Sequence, residues 1–211
     1  ERYSILQNAK REDICYEPFP HIIIKNCLPL DLYRDLENSY PNDQFLQDCM
    51  TNRQGENIRL KIRFDQIYNQ QISWINDDRW RNFVNFHLSN VFFKQLLDLF
   101  RPEFKSTLYG IENRLKTSLD SARILPHIPN QEKSLEQELK TIFLEGDIGI
   151  NTPLKKKSSV KKAHVDGIEK LFGCLLYFKR DIENSAGGDL EISRWKYGQK
   201  EVFGESFLIK E

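Results

Sequence analysis

The feature that most constrains this chain is a change of hydrophobic period part-way along it. In "DDRWRNFVNFHLSNVFFKQLLDLF", residues 77–100, the residues Trp80, Phe83, Val84, His87, Leu88, Val91, Phe92 and Leu99 recur at helical spacing. They fall on one face of a helix, and Asp77 or Asp78 can cap its start. From about residue 135 the period becomes two. In "KTIFLEGDIGINTP", residues 140–153, Ile142, Leu144, Ile148 and Ile150 are evenly spaced, as in one strand with a covered face. "LFGCLLYFK", residues 171–179, is apolar almost throughout, which predicts a strand covered on both sides. "GDLEISRW" (188–195) alternates Leu190 and Ile192 with polar residues, and "EVFGESFLIK" (201–210) reads as a further strand. A helical part over residues 1–134 followed by strands over 135–211 predicts an α+β fold ending in a sandwich or barrel.

The first half adds smaller signals. "EPFPHIIIKNC" (17–27) predicts a short strand through Ile22, Ile23 and Ile24, stiffened by its two prolines. In "LPLDLYRDLENSYP", Leu28, Leu32, Leu36 and Tyr40 keep helical spacing, Pro29 suits a first turn, and Pro41 ends the segment. "IRLKIRF" (58–64) alternates Ile58, Leu60, Ile62 and Phe64 as a strand does, whereas "RILPHIPN", with His127, reads as a loop. No repeat or low-complexity segment interrupts the chain, and 211 residues suffice for a single domain with a real core.

Charge and cysteine usage exclude several classes. Lys plus Arg (31) equals Asp plus Glu (31), so no global field favours nucleic acid. The mean hydropathy is −0.59 and no stretch approaches the apolar length a membrane span needs. "ERYSILQNAKRED" lacks the apolar stretch of a secretion signal, so a cytoplasmic location is expected. Cys15, Cys27, Cys49 and Cys174 lie far apart without a C-x-x-C pair, and read as reduced, mostly buried thiols. The chain begins with Glu and stops at "GESFLIKE", and the expectation is a fragment cut at both ends.

The chemistry-bearing motif is His164-Val165-Asp166. On an extended strand, positions i and i+2 share a face, so the imidazole and the carboxylate can aim at one point. That supplies two members of the two-histidine, one-carboxylate triad that holds non-haem Fe(II) with open positions. Standing by itself, an H-x-D is a weak signal, and the simpler reading is a polar corner before a core strand. His87, on an apolar helix face, reads as a core histidine with one hydrogen bond.

The ordered series "GIN", His164 and Asp166, "CLLYF", and Gly187-Gly188-Asp189-Leu190 resembles the Fe(II)/2-oxoglutarate-dependent dioxygenases of the prolyl-4-hydroxylase-like branch. "PFPHIIIKNCLPLDLYRDLENSYP" is similar to the strand–helix opening of these enzymes. The resemblance implies one oxygenase domain over 1–211, with N-terminal helices packed on a double-stranded β-helix (a jelly-roll, cupin-like core) that is incomplete at its C-terminus. It implies Fe(II) held by His164 and Asp166, and 2-oxoglutarate as cosubstrate, with ascorbate as a candidate accessory reductant. Tyr177 would face the cosubstrate, Leu190 would line the pocket, and Asn151 stands near a position where relatives carry a tyrosine. The implied activity is hydroxylation of a small-molecule or peptidyl substrate, without nucleic acid or membrane.

The chain departs from that family in one respect. Its histidines are His21, His87, His127 and His164, so none follows Asp166 to act as distal ligand, and the basic partner of the far carboxylate is likewise expected on later strands. Truncation is the favoured explanation, and a non-catalytic jelly-roll binding module with a degenerate site is the alternative. An ordinary α+β interaction protein with an incidental H-x-D is a third reading. "PLKKKSSVKK" (153–162) carries five lysines, Lys155 to Lys162, read as a solvated loop, or as a lid steering an anionic substrate.

Overall fold

The computed structural model describes residues 2–49, 58–72, 78–104, 108–131, 134, 138–152, 170–178, 190 and 192. The first helix, α1 (Leu30–Asn38), follows Pro29, whose fixed φ suits a helix start. Leu28, Leu32 and Leu36 are all buried, as their four-residue spacing predicts. Ser39 closes the helix: its hydroxyl donates to the Asp35 carbonyl at 2.6 Å and accepts from Trp80 Nε1 at 3.0 Å. A second helix, α2 (Asp43–Cys49), brings Leu46 onto the same core.

Strand β1 (Arg59–Arg63) realises the alternation of "IRLKIRF", with Leu60 and Ile62 buried. Phe64 opens a short helix, α3 (Phe64–Tyr68), instead of extending the strand. The long helix expected over 77–100 divides into α4 (Asp78–His87) and α5 (Asn90–Phe100). Ser89 causes the break: it adopts extended backbone, accepts from the Phe92 amide at 3.3 Å and donates to the Phe86 carbonyl at 2.6 Å. A serine hydroxyl of this kind satisfies a helix start better than a helix interior. The break rotates the buried face, so Phe92, Phe93, Leu96 and Leu97 turn inward and Val91 is exposed.

Helix α6 (Leu108–Leu115) leads to β2 (Arg123–Pro126), β3 (Thr141–Leu144) and β4 (Asp147–Asn151). Two expectations are corrected here. "RILPHIPN" holds a strand, because β2 pairs in parallel with β3 from Arg123↔Thr141 to Pro126↔Leu144. Proline, lacking an N–H, is tolerated there because β2 is an edge strand of a two-stranded sheet. The single strand expected over 140–153 is two strands in different sheets, divided at Glu145-Gly146, since β4 pairs with β1 in antiparallel register. A Cβ on Gly146 would lie 2.6 Å from the Phe64 ring, so the crossing between sheets requires a residue without a side chain.

The register of β1 and β4 sets Leu60 against Ile150 and Ile62 against Ile148. These residues form the main core with Leu28, Leu32, Leu36, Trp80, Phe83 and Val84. A second cluster gathers Phe93, Leu97 and Leu119, with Ile124, Ile142, Leu171 and Phe172 against it. Leu144 packs on both.

Three further expectations differ from the structure. Ile22, Ile23 and Ile24 make no strand: the only pairing there is a bridge between Cys15 and His21, and Ile23 is exposed. The segment 170–178 has no strand assignment and is covered on one side only. Leu176 and Phe178 pack on the main core, while Leu175 is 57% exposed. Nor are the thiols mostly buried, because Cys15 and Cys174 are exposed and Cys27 is half-buried. Residues 201–210, and all of 188–195 except Leu190 and Ile192, lie outside the described residues.

Two glycines give opposite expectations for alanine. At Gly149 a Cβ would lie 2.4 Å from the Leu60 carbonyl oxygen, whereas at Gly110, inside α6, nothing lies within 4 Å. Gly149→Ala is expected to destabilise by roughly 2 kcal/mol or more through overpacking against backbone. Gly110→Ala is expected to stabilise by about 0.5–1 kcal/mol through helix propensity. Urea denaturation of the two variants checks both signs.

Candidate functional site

His164, Asp166, the lysines from Lys155 to Lys162 and Gly187-Gly188-Asp189 lie outside the described residues. What the structure describes is the two arms of chain that flank the H-x-D. One arm is β4, which runs to Asn151 and Thr152. The other is the segment Lys170–Phe178.

Both arms rest on the main core through alternate residues. On β4, Ile148 and Ile150 face the core, so Asp147, Gly149 and Asn151 take the opposite face, and Asn151 is exposed. On the second arm Leu176 and Phe178 face the core, and Tyr177 between them is 60% exposed. Leu190 is likewise exposed, at 58%. All three residues that the family resemblance assigned to a cosubstrate pocket therefore lie outside the hydrophobic core.

Tyr40 joins the arms. Its hydroxyl donates to the Gly149 carbonyl at 2.9 Å and accepts from the Gly149 amide at 3.1 Å. Both backbone groups of Gly149 are thus satisfied away from β1, where the open edge of β4 would otherwise be bare. The Tyr40 ring lies 5.4 Å from that of Phe178, 5.8 Å from Trp80. Phe178 also stacks on Tyr33 at 5.2 Å. Burial holds the Tyr40 hydroxyl above its ordinary pKa, opposed by the Gly149 bond and the Arg59 charge, so it remains a neutral donor and acceptor.

The face of β1–β4 that carries Asn151 is cationic. Arg59 stands across from Asn151, Lys61 from Gly149, and Arg63 from Asp147. Lys61 Nζ meets Asp147 Oδ2 at 2.9 Å. Arg63 forks onto the buried Asp65 at 2.8 and 3.2 Å. Arg59 makes no hydrogen bond or ion pair among the described residues.

The remaining described histidines are not drawn together. His87 is a core histidine, as its place on an apolar face predicts. Its Nδ1 donates to the Phe83 carbonyl at 2.7 Å, and its ring packs among Phe83, Phe86 and Phe92 at 4.2, 5.6 and 4.5 Å. Nε2 is buried without a partner, and burial lowers the pKa to about 4 against the raising effect of the Phe83 bond. His127 Nδ1 lies 3.3 Å from Glu145 Oε2, and His21 Nδ1 lies 2.8 Å from the Phe19 carbonyl. Among the described residues no group of three or more His, Cys, Asp or Glu could hold a metal ion, and no helix is long and apolar enough to cross a membrane. No family model, curated protein or solved structure matches the chain.

The sequence assigned Tyr40 only to a helix face, and gave Gly149 no role beyond its place in "GIN" and Arg59 none. The available signal was the glycine inside "DIGIN", since an interior strand glycine marks a close approach of another group.

Two outcomes follow from these environments. Tyr40→Phe keeps the ring and removes the strap, and is expected to cost about 1–2 kcal/mol in urea denaturation, the range for leaving backbone groups without their partner. For His87, the folded state binds its proton less readily than the unfolded state, so its contribution is complete above pH 6.5 and is lost as pH falls through about 4. Wild-type stability is expected to fall over that window by up to about 3 kcal/mol more than that of His87→Phe, measured by urea denaturation at several pH values.

Proposed function

We propose that the chain is an Fe(II)- and 2-oxoglutarate-dependent oxygenase domain of jelly-roll architecture, hydroxylating a small-molecule or peptidyl substrate. One observation carries this reading. The two arms flanking His164 and Asp166 rest on one core and are tied together by Tyr40, while Asn151 and Tyr177, assigned to the cosubstrate, stay off that core.

The donor set suits the metal: an imidazole and a carboxylate two residues apart match two positions of a facial triad. Bound Fe(II) with 2-oxoglutarate and dioxygen would supply the oxidising chemistry, in which one oxygen atom becomes the hydroxyl on a substrate carbon and the other enters succinate as the cosubstrate loses carbon dioxide. The chain's own residues have simpler tasks. His164 and Asp166 would hold the metal. The Tyr177 hydroxyl and the Asn151 amide, without partners among the described residues, are available to orient the cosubstrate by hydrogen bonds. Leu190 would present an apolar wall that limits water. The lysines from Lys155 to Lys162 would raise the local concentration of an anionic substrate. The third ligand does not follow Asp166 in this sequence.

Protein expressed from the complete gene is expected to convert 2-oxoglutarate to succinate in an Fe(II)-dependent manner, and His164→Ala to abolish this. Succinate formation that persists in His164→Ala removes the assignment. The 211-residue chain is expected to bind Mn(II), read by electron paramagnetic resonance, and to lose at least about tenfold in affinity in His164→Ala or Asp166→Ala. Absence of metal binding by the complete protein would favour the alternative, a non-catalytic jelly-roll binding module.

A further inference from the structure

We infer that Cys15 and His21 form a two-donor site for Zn(II), completed by the same pair from a second copy of the chain. One ion is then held between two chains by two thiolates and two imidazoles. The site is independent of the oxygenase reading and uses none of its residues. Backbone holds the pair in place. The Cys15 amide donates to the His21 carbonyl at 2.8 Å, and the His21 amide donates to the Cys15 carbonyl at 2.8 Å. Residues that exchange both bonds stand directly opposite, with side chains on one face and Cβ atoms about 4.5–5.5 Å apart. The loop between them, Tyr16–Pro20, contains Pro18 and Pro20, whose rings fix φ. Tyr16 also pins the loop, since its hydroxyl donates to Glu103 Oε1 at 3.2 Å on the turn after α5.

The two donors suit zinc. Cys15 is an exposed free thiol, and His21 is half-buried. His21 Nδ1 lies 2.8 Å from the Phe19 carbonyl, which can only accept, so Nδ1 carries the proton and Nε2 keeps its lone pair. Metal-ligating histidines are oriented in this way, by donating the other ring N–H to a carbonyl or carboxylate. Zn–S and Zn–N bonds of about 2.3 and 2.0–2.1 Å set the donors about 3.6 Å apart on a tetrahedral ion, within reach from opposed positions. The thiol proton leaves to solvent as the thiolate binds. Structural zinc takes four ligands, and this pair supplies two. Glu103 is engaged by Tyr16 and by Arg11 at 3.4 Å, and among the described residues no group of three or more His, Cys, Asp or Glu could hold a metal. A second copy related by a two-fold axis supplies the missing pair, and a net charge of zero sets up no repulsion between copies. Beside the pair, Phe19 and Ile23 are exposed, with the Phe19 ring 5.6 Å from that of His21, and a partner copy would cover them.

Cobalt(II) tests the site, because a thiolate ligand gives a sulfur-to-cobalt charge-transfer band that His164 and Asp166 cannot give. The reduced 211-residue chain is titrated with Co(II) and then with Zn(II), and its mass is followed by sedimentation velocity. The band is expected to saturate at about one ion per two chains, and Zn(II) to displace the cobalt, as the order of divalent affinities requires. Monomer is expected to become a dimer that a chelator returns to monomer. Cys15→Ser is expected to remove both the band and the dimer. His21→Gln is expected to weaken binding by at least about tenfold, whereas Cys174→Ser, at an exposed thiol elsewhere, is expected to change neither readout. A band that persists in Cys15→Ser overturns the site. So does a wild-type chain that gives no band, saturates at one ion per chain or keeps its mass on adding metal, and these three results stand whatever the folding of the variants.

Discussion

The rest of the structure depends on the contact between the Tyr40 hydroxyl and the backbone of Gly149. A two-stranded pair such as β1–β4 has little stability of its own and needs packing to hold it. Packing comes from the aromatic cluster of Tyr33, Tyr40, Trp80 and Phe178, and the strap converts that packing into a fixed position for β4. Tyr40 is able to do this because it follows the end of α1, where Ser39 turns the chain and receives the Trp80 N–H. One tyrosine therefore joins a helix end, a strand and the arm at Phe178.

The chain between β3 and β4 shows how two cores are built from one hydrophobic pattern. Even spacing continues from Ile142 to Ile150, and every second residue stays inward across the bend at Gly146. Yet Ile142 packs on the second cluster, Ile148 on the first, and Leu144 touches both. Period fixes which side of the backbone is apolar, not which apolar body it meets. That choice falls to the close fit between Gly146 and the Phe64 ring and to the different partners of the two strands, β2 for one and β1 for the other.

Polar groups sort by the same logic. His87 is buried among phenylalanine rings and kept neutral, with one nitrogen satisfied and the other not. Asp65 is also buried, but only with the Arg63 fork upon it. Arg59, Asn151 and Tyr177 remain on faces turned from the core, where polar atoms keep their capacity to bind a ligand. The described residues assigned to the proposed site thus lie on an outer surface backed by the main core.

Much of the backing was legible from the order of residues. The leucine ladder of α1, the alternation in "IRLKIRF" and the single hydrogen bond of His87 each follow from local rules: side-chain period, a strand's two faces, and the need of a buried ring nitrogen for a partner. The H-x-D spacing and the elements around it also came from sequence, as a resemblance to an oxygenase family. Tertiary structure decided the rest. Ser89 divided a helix that its apolar period alone would have continued, because a hydroxyl at a helix start outweighs one more turn of weak propensity. β2 became a strand only because β3 lies beside it to accept its hydrogen bonds. The pairing of Tyr40 with Gly149, and of Arg59 with Asn151, joins residues some ninety or more apart along the chain. No local pattern encodes such a contact, because it exists only once two separate segments have packed on the same core.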